Sequence, residues 1–279
     1  MQLYPHETED SAINMGGSML KRLEPIKTIA LEAGSLIMAY YRQSQEVSYK
    51  VDKTPVTKAD QVANDYIVKK LRHQYPDMAI LAEESKDDLS RLKNPYCWLV
   101  DPLDGTKEFL RQNGEFTVNI ALTYKGRAIM GVVYSPVLDE MYEGLSGHGA
   151  YLTINASKSK KTKRMRVSQR QHQLIMLKSR SHNTVFVDKI VQMHQGKIKD
   201  VIPMGSSLKG CWIAKGQGDV YYRSGPTMEW DTAAMQVIVE EAGGVIRQLD
   251  HSLLTYNRED TCNRKGFYIL NRLDNKLMP

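Results

Sequence analysis

Five short apolar segments follow one another between residues 79 and 145, and they constrain the fold of this chain more than any other feature. The segments are AILA (79–82), YCWLV (96–100), FTVNIALTY (116–124), AIMGVVYS (128–135) and EMYEGL (140–145). Their length and their content of β-branched and aromatic residues are typical of β-strands. The sequence therefore predicts a mostly antiparallel sheet in this part of the chain.

Two helices are predicted before this sheet. From Met19 to Ile37, apolar residues recur at three- and four-residue spacing, which is the pattern of an amphipathic helix. A second pattern of this kind begins near Thr57 and ends before Pro76, because proline stops a helix. Residues 1–18 precede the first pattern, and we expect them to form a poorly ordered extension.

Strands and helices alternate in the last third of the chain. The sequence predicts strands at 174–179, 201–205, 219–223 and 244–249, and helices around 184–194, from Ser207 and from Glu229. Alternation of this kind is typical of an α/β unit. The basic run KSKKTKRMR (158–166) precedes it. We therefore predict an N-terminal α+β subdomain over residues 19–157 and a C-terminal α/β subdomain over residues 158–279.

The composition is that of a globular protein, with 42% hydrophobic and 25% charged residues in 279. No apolar run reaches the roughly 18 residues of a membrane span, and the N-terminus does not resemble a secretion signal. The three cysteines, Cys97, Cys211 and Cys262, are too few and too widely spaced for a disulfide framework or a zinc site. We therefore expect a cytoplasmic protein.

The net charge of +6 comes from one segment. The run 158–166 holds six basic residues, and without them 38 − 6 = 32 basic residues face 32 acidic ones. Such a run is either a patch for nucleic acid or a membrane surface, or a solvated loop. No interleaved aromatic residues or nucleic-acid motif accompany it, which favours the loop. We expect no nucleic-acid partner.

The segment WLVDPLDGT (98–106) ends an apolar strand with two aspartates. Pro102 is expected to end the strand at Asp101, and Gly105 allows a turn that brings Asp104 back toward Asp101. Two carboxylates held so close raise each other's pKa, so a divalent cation between them is favoured. The alternative is an ordinary Asp-Gly turn whose carboxylates bind backbone amides.

Further carboxylates stand at the ends of other predicted elements. Glu83 follows the strand 79–82, and Asp231 begins an apolar helix. Separately, Glu83 is explained as a surface residue and Asp231 as a charge at a helix N-terminus. Together with Asp101 and Asp104 they form an oxygen-ligand set that suits Mg²⁺. The sequence has neither a phosphate-binding Gly-x-x-x-x-Gly-Lys loop nor an EF-hand loop.

Four motifs resemble, in order, those of the inositol monophosphatase-like superfamily of metal-dependent phosphatases. They are VTKAD (56–60), LAEES (81–85), DPLDGTKEF (101–109) and WDTAA (230–234). The resemblance spans roughly residues 19–279. It implies an α+β fold, the layered α/β/α/β/α sandwich of the inositol monophosphatase and fructose-1,6-bisphosphatase type.

The resemblance also implies the roles of individual residues. About two or three Mg²⁺ ions would be bound by Glu83, Asp101, the carbonyl oxygen of Leu103, Asp104 and Asp231. Gly105 and Thr106 would hold the phosphate. The implied catalytic residues are Asp60, Thr106 and Glu83, with Thr106 and Asp60 relaying a proton from the metal-activated water that attacks phosphorus in line.

Several segments resemble the 3'(2'),5'-bisphosphate nucleotidase branch, the CysQ type. These are DGTKEF with Lys107 and Glu108, SRSH (179–182), GSSLKGC (205–211) and YYRSGPTMEWD (221–231). Arg223 suits a second phosphate, although a solvated strand-end charge explains it equally well. The substrate-binding residues implied are Leu103, Asp104, Gly105, Thr106, Gly205, Ser206, Lys209, Arg223 and Asp231.

The implied reaction is removal of the 3'-phosphate of adenosine 3',5'-bisphosphate to give AMP and phosphate, and of its sulfated form. Inhibition by lithium is implied as well. Inositol monophosphatase or fructose-1,6-bisphosphatase activity is the alternative on the same scaffold. A non-catalytic nucleic-acid or membrane-surface binder that uses 158–166 is the alternative of another class. We expect a phosphorylated nucleotide as the only small-molecule partner; the oligomeric state and peripheral association with the cytoplasmic face of the inner membrane stay open.

Overall fold

The computed structural model describes residues 9–43, 47–50, 55–181 and 185–277. Its helices are α1 (Glu9–Tyr40), α2 (Lys58–Gln74), α3 (Thr106–Leu110), α4 (Val185–Met193), α5 (Leu208–Ala214) and α6 (Glu229–Glu241). Short 3-10 helices span Ser90–Lys93 and Leu273–Asn275. Strands β1 (Val47–Tyr49) and β2 (Pro55–Thr57) pair antiparallel just before α2.

The first large sheet has seven strands in chain order. They are β3 (Ala79–Ala82), β4 (Tyr96–Asp104), β5 (Thr117–Tyr124), β6 (Arg127–Ser135), β7 (Glu140–Leu145), β8 (Gly149–Ile154) and β9 (Thr162–Arg164). Only β3 and β4 run parallel, and every other neighbouring pair is antiparallel. The predicted antiparallel sheet is therefore confirmed.

The second large sheet has five strands in the order β11-β10-β12-β14-β13. They are β10 (Leu174–Ser179), β11 (Ile198–Met204), β12 (Val220–Arg223), β13 (Val245–Gln248) and β14 (Phe267–Leu270). Strand β10 runs parallel to β11 and β12, whereas β14 is antiparallel to both of its neighbours. Helices precede or follow the parallel strands, as the predicted alternation requires.

Three apolar clusters hold five layers together. Helices α1 and α2 pack on one face of the seven-stranded sheet, where Ile26 and Trp98 are fully buried. Helices α5 and α6 fill the space between the two sheets, with Ile238 and Tyr221 in a second cluster. Helix α4 covers the far face of the five-stranded sheet, where Ile190 is fully buried. The predicted α/β/α/β/α sandwich is confirmed.

The parallel pair β3 and β4 places the acidic segments side by side. Ala82 pairs with Val100, and the amide of Glu83 donates to the carbonyl oxygen of Val100 at 3.1 Å. The carboxyl ends of parallel strands lie at one edge of a sheet. Glu83 therefore emerges beside Asp101.

The prediction that Pro102 ends the strand was wrong, because β4 continues through a bulge to Asp104. Asp101 pairs with Asn119 and Asp104 with Thr117, so β4 carries one more residue than β5 over this stretch. A bulge leaves a residue out of the ladder, which suits a proline without an N–H group. The bulge brings Asp104 to the same edge as Asp101.

Two predicted boundaries differ from the structure. Helix α1 begins at Glu9, so only residues 1–8 of the predicted extension lie outside the described residues. The apolar pattern starts at Met19, and periodicity detects packing rather than helical backbone. Strand β9 extends the first sheet to Arg164, beyond the subdomain boundary predicted at residue 157. No helix in the described part of the chain is long and apolar enough to cross a membrane.

Candidate active site

One cleft collects the side chains that the motifs single out. It lies where the acidic edge of the seven-stranded sheet meets α5, α6 and the five-stranded sheet. The predicted residues that line it are Glu83, Asp101, Leu103, Asp104, Gly105, Thr106, Gly205, Ser206, Lys209, Arg223 and Asp231. Asp60 is not among the lining residues, but it forms a hydrogen bond with Thr106, which lines the cleft.

The four carboxylates of the cleft disfavour one another's charge. Burial, together with the charges of Glu83, Asp104 and Asp231, raises the pKa of Asp101 well above its usual range. Burial and the charges of Asp104 and Glu83 likewise raise the pKa of Asp231. Burial also raises the pKa of Glu83. The positive charges around these carboxylates do not balance their negative charge, and a bound cation would offset the excess negative charge.

Lys50 contacts a carboxylate of the cleft, and no motif or spacing predicted this contact. Its ammonium group lies 2.7 Å from Oε1 of Glu83 and also contacts Glu84. Burial opposes the charge of Lys50, but the two carboxylates raise its pKa. Lys50 is only one cation beside the carboxylates, and its partner Glu83 is one of the predicted metal ligands.

The donor chemistry of the cleft fits a hard divalent cation. Asp101, Asp104, Asp231 and Glu83 offer carboxylate oxygens, and the carbonyl of Leu103 adds a neutral oxygen that the Thr106 hydroxyl approaches at 3.5 Å. Oxygen-only sets of this type suit Mg²⁺. Within the described ranges, no three acidic, His or Cys side chains already converge as ligands of one ion.

Thr106 and Asp60 are joined as the resemblance predicts. The Thr106 hydroxyl donates to Oδ1 of Asp60 at 3.0 Å. The other oxygen of Asp60 accepts from the amide of Thr57 at 2.7 Å and from its hydroxyl at 2.6 Å. Burial raises the pKa of Asp60, and the hydrogen bonds from Thr57 and Thr106 oppose that rise. The Asp60 carboxylate is therefore held with one oxygen aimed at Thr106.

Asp104 is anchored by Ser207, from the segment GSSLKGC, and by Asn119, for which no role was predicted. Its Oδ2 atom accepts from the Ser207 amide at 2.7 Å, from the Ser207 hydroxyl at 2.8 Å and from the Asn119 side-chain amide at 3.1 Å. Ser207 and Asn119 are buried. Ser207 lies 103 positions from Asp104 and Asn119 lies 15 positions from it, and no local pattern marks either residue as a partner of this aspartate.

Two glycines shape the cleft by close backbone approach. Gly105 has φ = +100°, a left-handed conformation that non-glycine residues rarely adopt, and it turns the chain from β4 into α3. A Cβ atom at Gly205 would lie 2.6 Å from the carbonyl oxygen of Glu115. The Gly205 amide donates to the Glu115 carboxylate at 2.8 Å, which fixes the turn that leads into Ser206 and Ser207.

Two cations, Lys209 and Arg223, also line the cleft. Lys209 is buried, and its ammonium group donates to the carbonyl oxygens of Ser206 at 2.6 Å and Met204 at 3.2 Å. Burial lowers the pKa of Lys209 to about 8. Arg223 donates to the carbonyl oxygen of Pro226 at 3.1 Å, and its buried Nε atom has no hydrogen-bond partner among the described residues. Arg223 is therefore a half-buried residue of the cleft lining.

The rim of the cleft contains part of the motif SRSH. Ser179 and Ser181 line the cleft, and the Ser181 hydroxyl contacts the buried carboxylate of Glu108. Arg180 instead points to Glu115, to which it donates two hydrogen bonds. His182 lies outside the described residues.

Comparison with known sequences agrees with this geometry. The sequence model of the inositol monophosphatase family matches residues 20–273. The 3'(2'),5'-bisphosphate nucleotidase CysQ of Buchnera aphidicola is 41% identical over 258 residues, which cover 89% of this chain and 93% of that protein. The CysQ nucleotidase of Escherichia coli K12 is 37% identical over 253 residues, which cover 88% of this chain and 98% of that protein.

Comparison with solved structures gives the same result. The crystal structure of CysQ from Bacteroides thetaiotaomicron, described as a bacterial member of the inositol monophosphatase family, has a TM-score of 0.75 and 38% identity, covering 88% of this chain and 95% of that one. An inositol monophosphatase of Thermotoga maritima has a TM-score of 0.76 at 26% identity, covering 90% and 92%. Members of this family are generally metal-dependent. The chain belongs to the inositol monophosphatase family.

Proposed function

We propose that this protein is a Mg²⁺-dependent 3'(2'),5'-bisphosphate nucleotidase that hydrolyses the 3'-phosphate of adenosine 3',5'-bisphosphate to give AMP and phosphate. The observation that carries the proposal is that four carboxylates and two cations, Lys209 and Arg223, line one cleft. A substrate with two phosphates matches this set, because the carboxylates would hold metal for one phosphate and the second phosphate needs cations of the protein itself.

The four carboxylates would hold the scissile 3'-phosphate through metal. Glu83, Asp101, Asp104, Asp231 and the carbonyl of Leu103 would be the ligands of about two or three Mg²⁺ ions. Bound Mg²⁺ would supply a water of lowered pKa and would offset charge on the transferred phosphoryl group. Gly105 and Thr106 follow Asp104 in the chain and line the same cleft, and they would orient the phosphate.

Thr106 and Asp60 would accept the proton that the attacking water loses. Thr106 Oγ1 already donates to Oδ1 of Asp60, so a proton accepted by the threonine oxygen can be passed to the carboxylate behind it. The raised pKa of Asp60 makes that carboxylate a better proton acceptor than an exposed aspartate. Glu83 would act beside them as a ligand and a catalytic carboxylate.

Lys209 and Arg223 would bind the 5'-phosphate. The guanidinium of Arg223 offers donors in a planar fork that matches phosphate oxygens, and one of its nitrogens is buried without a partner in the described part of the chain. Lys209 adds a point charge, and Ser206 and Gly205 form the turn beside it. Because the sulfated form of the substrate carries the same 3'-phosphate, we include it in the proposal, together with inhibition by Li⁺.

A substrate panel tests this function. Phosphate release in Mg²⁺ is measured for adenosine 3',5'-bisphosphate, adenosine 3'-monophosphate, inositol 1-phosphate and fructose 1,6-bisphosphate. We expect the highest kcat/KM for the 3',5'-bisphosphate. The substitution Arg223→Met should lower kcat/KM for this substrate by about 10-fold or more and should hardly affect the 3'-monophosphate.

Two outcomes of the panel would overturn the proposal. Preference for inositol 1-phosphate or fructose 1,6-bisphosphate would assign the chain to the alternative activity on the same scaffold. Equal losses for both adenosine substrates in Arg223→Met would remove Arg223 from recognition of the second phosphate. Gln217→Ala, which lies outside the cleft lining, serves as the control substitution.

A further inference from the structure

The hydroxyl of Ser207 lies at the meeting point of three elements. It is 2.8 Å from Oδ2 of Asp104 at the end of β4, 3.0 Å from the carbonyl oxygen of Asp231 in α6, and 2.9 Å from the side-chain nitrogen of Asn119 in β5. Ser207 is 2% exposed. A buried polar group with this many partners is held in one position.

The orientation of Asn119 determines how Ser207 bonds. The Thr117 hydroxyl donates to the side-chain oxygen of Asn119 at 2.9 Å, so the nitrogen of Asn119 is left to face Asp104 and Ser207. Because Asn119 donates to the Ser207 oxygen, the serine proton is directed to its two acceptors. The charged oxygen of Asp104 is the nearer of them and makes the stronger hydrogen bond.

The consequence is that the two oxygens of Asp104 differ. Oδ2 accepts three hydrogen bonds, two of them from Ser207. Over the described residues, Oδ1 accepts none. Partners of this kind orient a carboxylate and decide which oxygen is available to a metal ion.

We propose that Ser207 is a positioning residue for metal binding: with Asn119 it holds Asp104 so that Oδ1 is the free ligand, and it ties Asp104 to the backbone of Asp231. This inference rests on the proposed metal dependence of the site. In this proposal Ser207 acts through Asp104 and is not itself a ligand of the ion. It couples the ligand at the end of β4 to the ligand at the start of α6, two segments that come from opposite halves of the chain.

The test measures binding of Mn²⁺ alone to the full chain without substrate, from the loss of the free-ion signal in electron paramagnetic resonance. Ser207→Ala should weaken Mn²⁺ binding by about 10-fold or more, the usual loss when a partner of a metal ligand is removed. Ser207→Thr, which keeps a hydroxyl, should bind Mn²⁺ more tightly than Ser207→Ala. Asn119→Ala removes another donor to the same oxygen and should weaken binding in the same direction, which keeps the test decisive if Ser207→Ala does not fold.

Ser168→Ala is the matched control. The Ser168 hydroxyl also contacts a buried carboxylate, that of Asp219, but neither residue lines the cleft. This variant should lose thermal stability and keep the Mn²⁺ affinity of the wild type. Equal Mn²⁺ affinity of wild type and Ser207→Ala would overturn the inference alone, whereas a wild-type protein that binds no Mn²⁺ would overturn the proposed function as well.

Discussion

The hydroxyl oxygen of Thr106 lies 3.0 Å from Oδ1 of Asp60, and this hydrogen bond joins the first residue of α3 to the first turn of α2. The second carboxylate oxygen of Asp60 is occupied by Thr57, which leaves Oδ1 as the oxygen that can take a proton from Thr106. This geometry suits the proposed proton transfer in addition to the capping of α2.

Replacement of Thr106 by valine should lower kcat by about 100-fold or more, since proton transfer by a positioned group contributes about that much. Valine keeps the shape and removes the hydroxyl. Thr106→Ser keeps the hydroxyl and should retain most of the activity. Steady-state phosphate release checks both variants, and an equally inactive serine variant would show that the methyl group, rather than the hydroxyl, matters.

Replacement of Asp104 by asparagine should abolish turnover and leave the fold intact. The carbonyl oxygen of asparagine can still accept from the Ser207 amide and from Asn119, so the anchoring hydrogen bonds persist. The charge at the free ligand position is lost. Circular dichroism and phosphate release measure the two effects, and near-normal phosphate release would contradict the metal assignment.

Replacement of Asp101 by asparagine should stabilise the metal-free protein. The folded pKa of Asp101 is raised above its unfolded value of about 3.9, so folding disfavours the charged form. The stability that the protonated form provides is complete below pH 4 and is lost as the pH rises toward the folded pKa. Asparagine carries no charge to lose. In the presence of a chelator at pH 7, the free energy of unfolding of the Asp101→Asn variant should exceed that of the wild type by about 1 kcal/mol or more.

The control for this prediction is Asp139→Asn, because the pKa of Asp139 is shifted in the opposite direction. Burial disfavours the charge of Asp139, but hydrogen bonds from Ser157 and Tyr134 lower its pKa overall. Neutralising it should therefore destabilise the protein. Urea unfolding at pH 5 and pH 7, with and without Mg²⁺, measures both variants. If Asp101→Asn were less stable than the wild type in chelator, charge repulsion would not dominate the metal-free site.

The sequence predicts those site residues that lie close together in one short segment. Asp101 and Asp104 share one segment with Gly105, whose positive φ the turn requires, and local spacing is enough to recognise them. The same holds for strands β3 to β7 of the first sheet, because the composition of each of these segments predicts a strand. Pro102 could not be placed from the local sequence, because a β-bulge accommodates the proline that was expected to end the strand.

The parts that the sequence does not predict depend on contacts between distant segments. Ser207 contacts Asp104, which lies 103 positions away in the sequence, and a single serine has no pattern from which such a contact can be predicted. Lys50, which follows β1, forms an ion pair with Glu83, which follows β3, across 33 positions of the chain. Strand β9 lies within a basic run in which Met165 alone is buried, so its pairing with β8 leaves almost no apolar signal.

Neutralising the basic run should leave catalysis unchanged. Its six basic side chains are all exposed, and none of them lines the cleft. A variant with Lys160, Lys161 and Lys163 changed to glutamine should keep kcat/KM for adenosine 3',5'-bisphosphate within about twofold. Filter binding to RNA at low and high salt tests the other role. Salt-sensitive RNA binding that this variant loses, in a protein without phosphatase activity, would favour the nucleic-acid binder.

The charge of Lys209 makes recognition of the second phosphate sensitive to pH. Burial and the positive charge of Arg223 lower the pKa of Lys209 to about 8, against the opposing effect of Asp104. Lys209 is therefore charged below pH 8 and loses its proton as the pH rises through that value. Since kcat/KM reports the ionisation of the free enzyme, kcat/KM for the 3',5'-bisphosphate should fall above pH 8.

The ratio of two substrates isolates this effect. Adenosine 3'-monophosphate lacks the 5'-phosphate, so the ratio of the two kcat/KM values cancels the pH dependence of the chemical step. We expect the ratio to fall by about 10-fold between pH 7 and pH 9.5, the loss expected for one charge-assisted contact. Lys209→Met should give a low ratio that does not change with pH. A wild-type ratio that stays constant over this range would show that Lys209 does not bind the second phosphate as a cation.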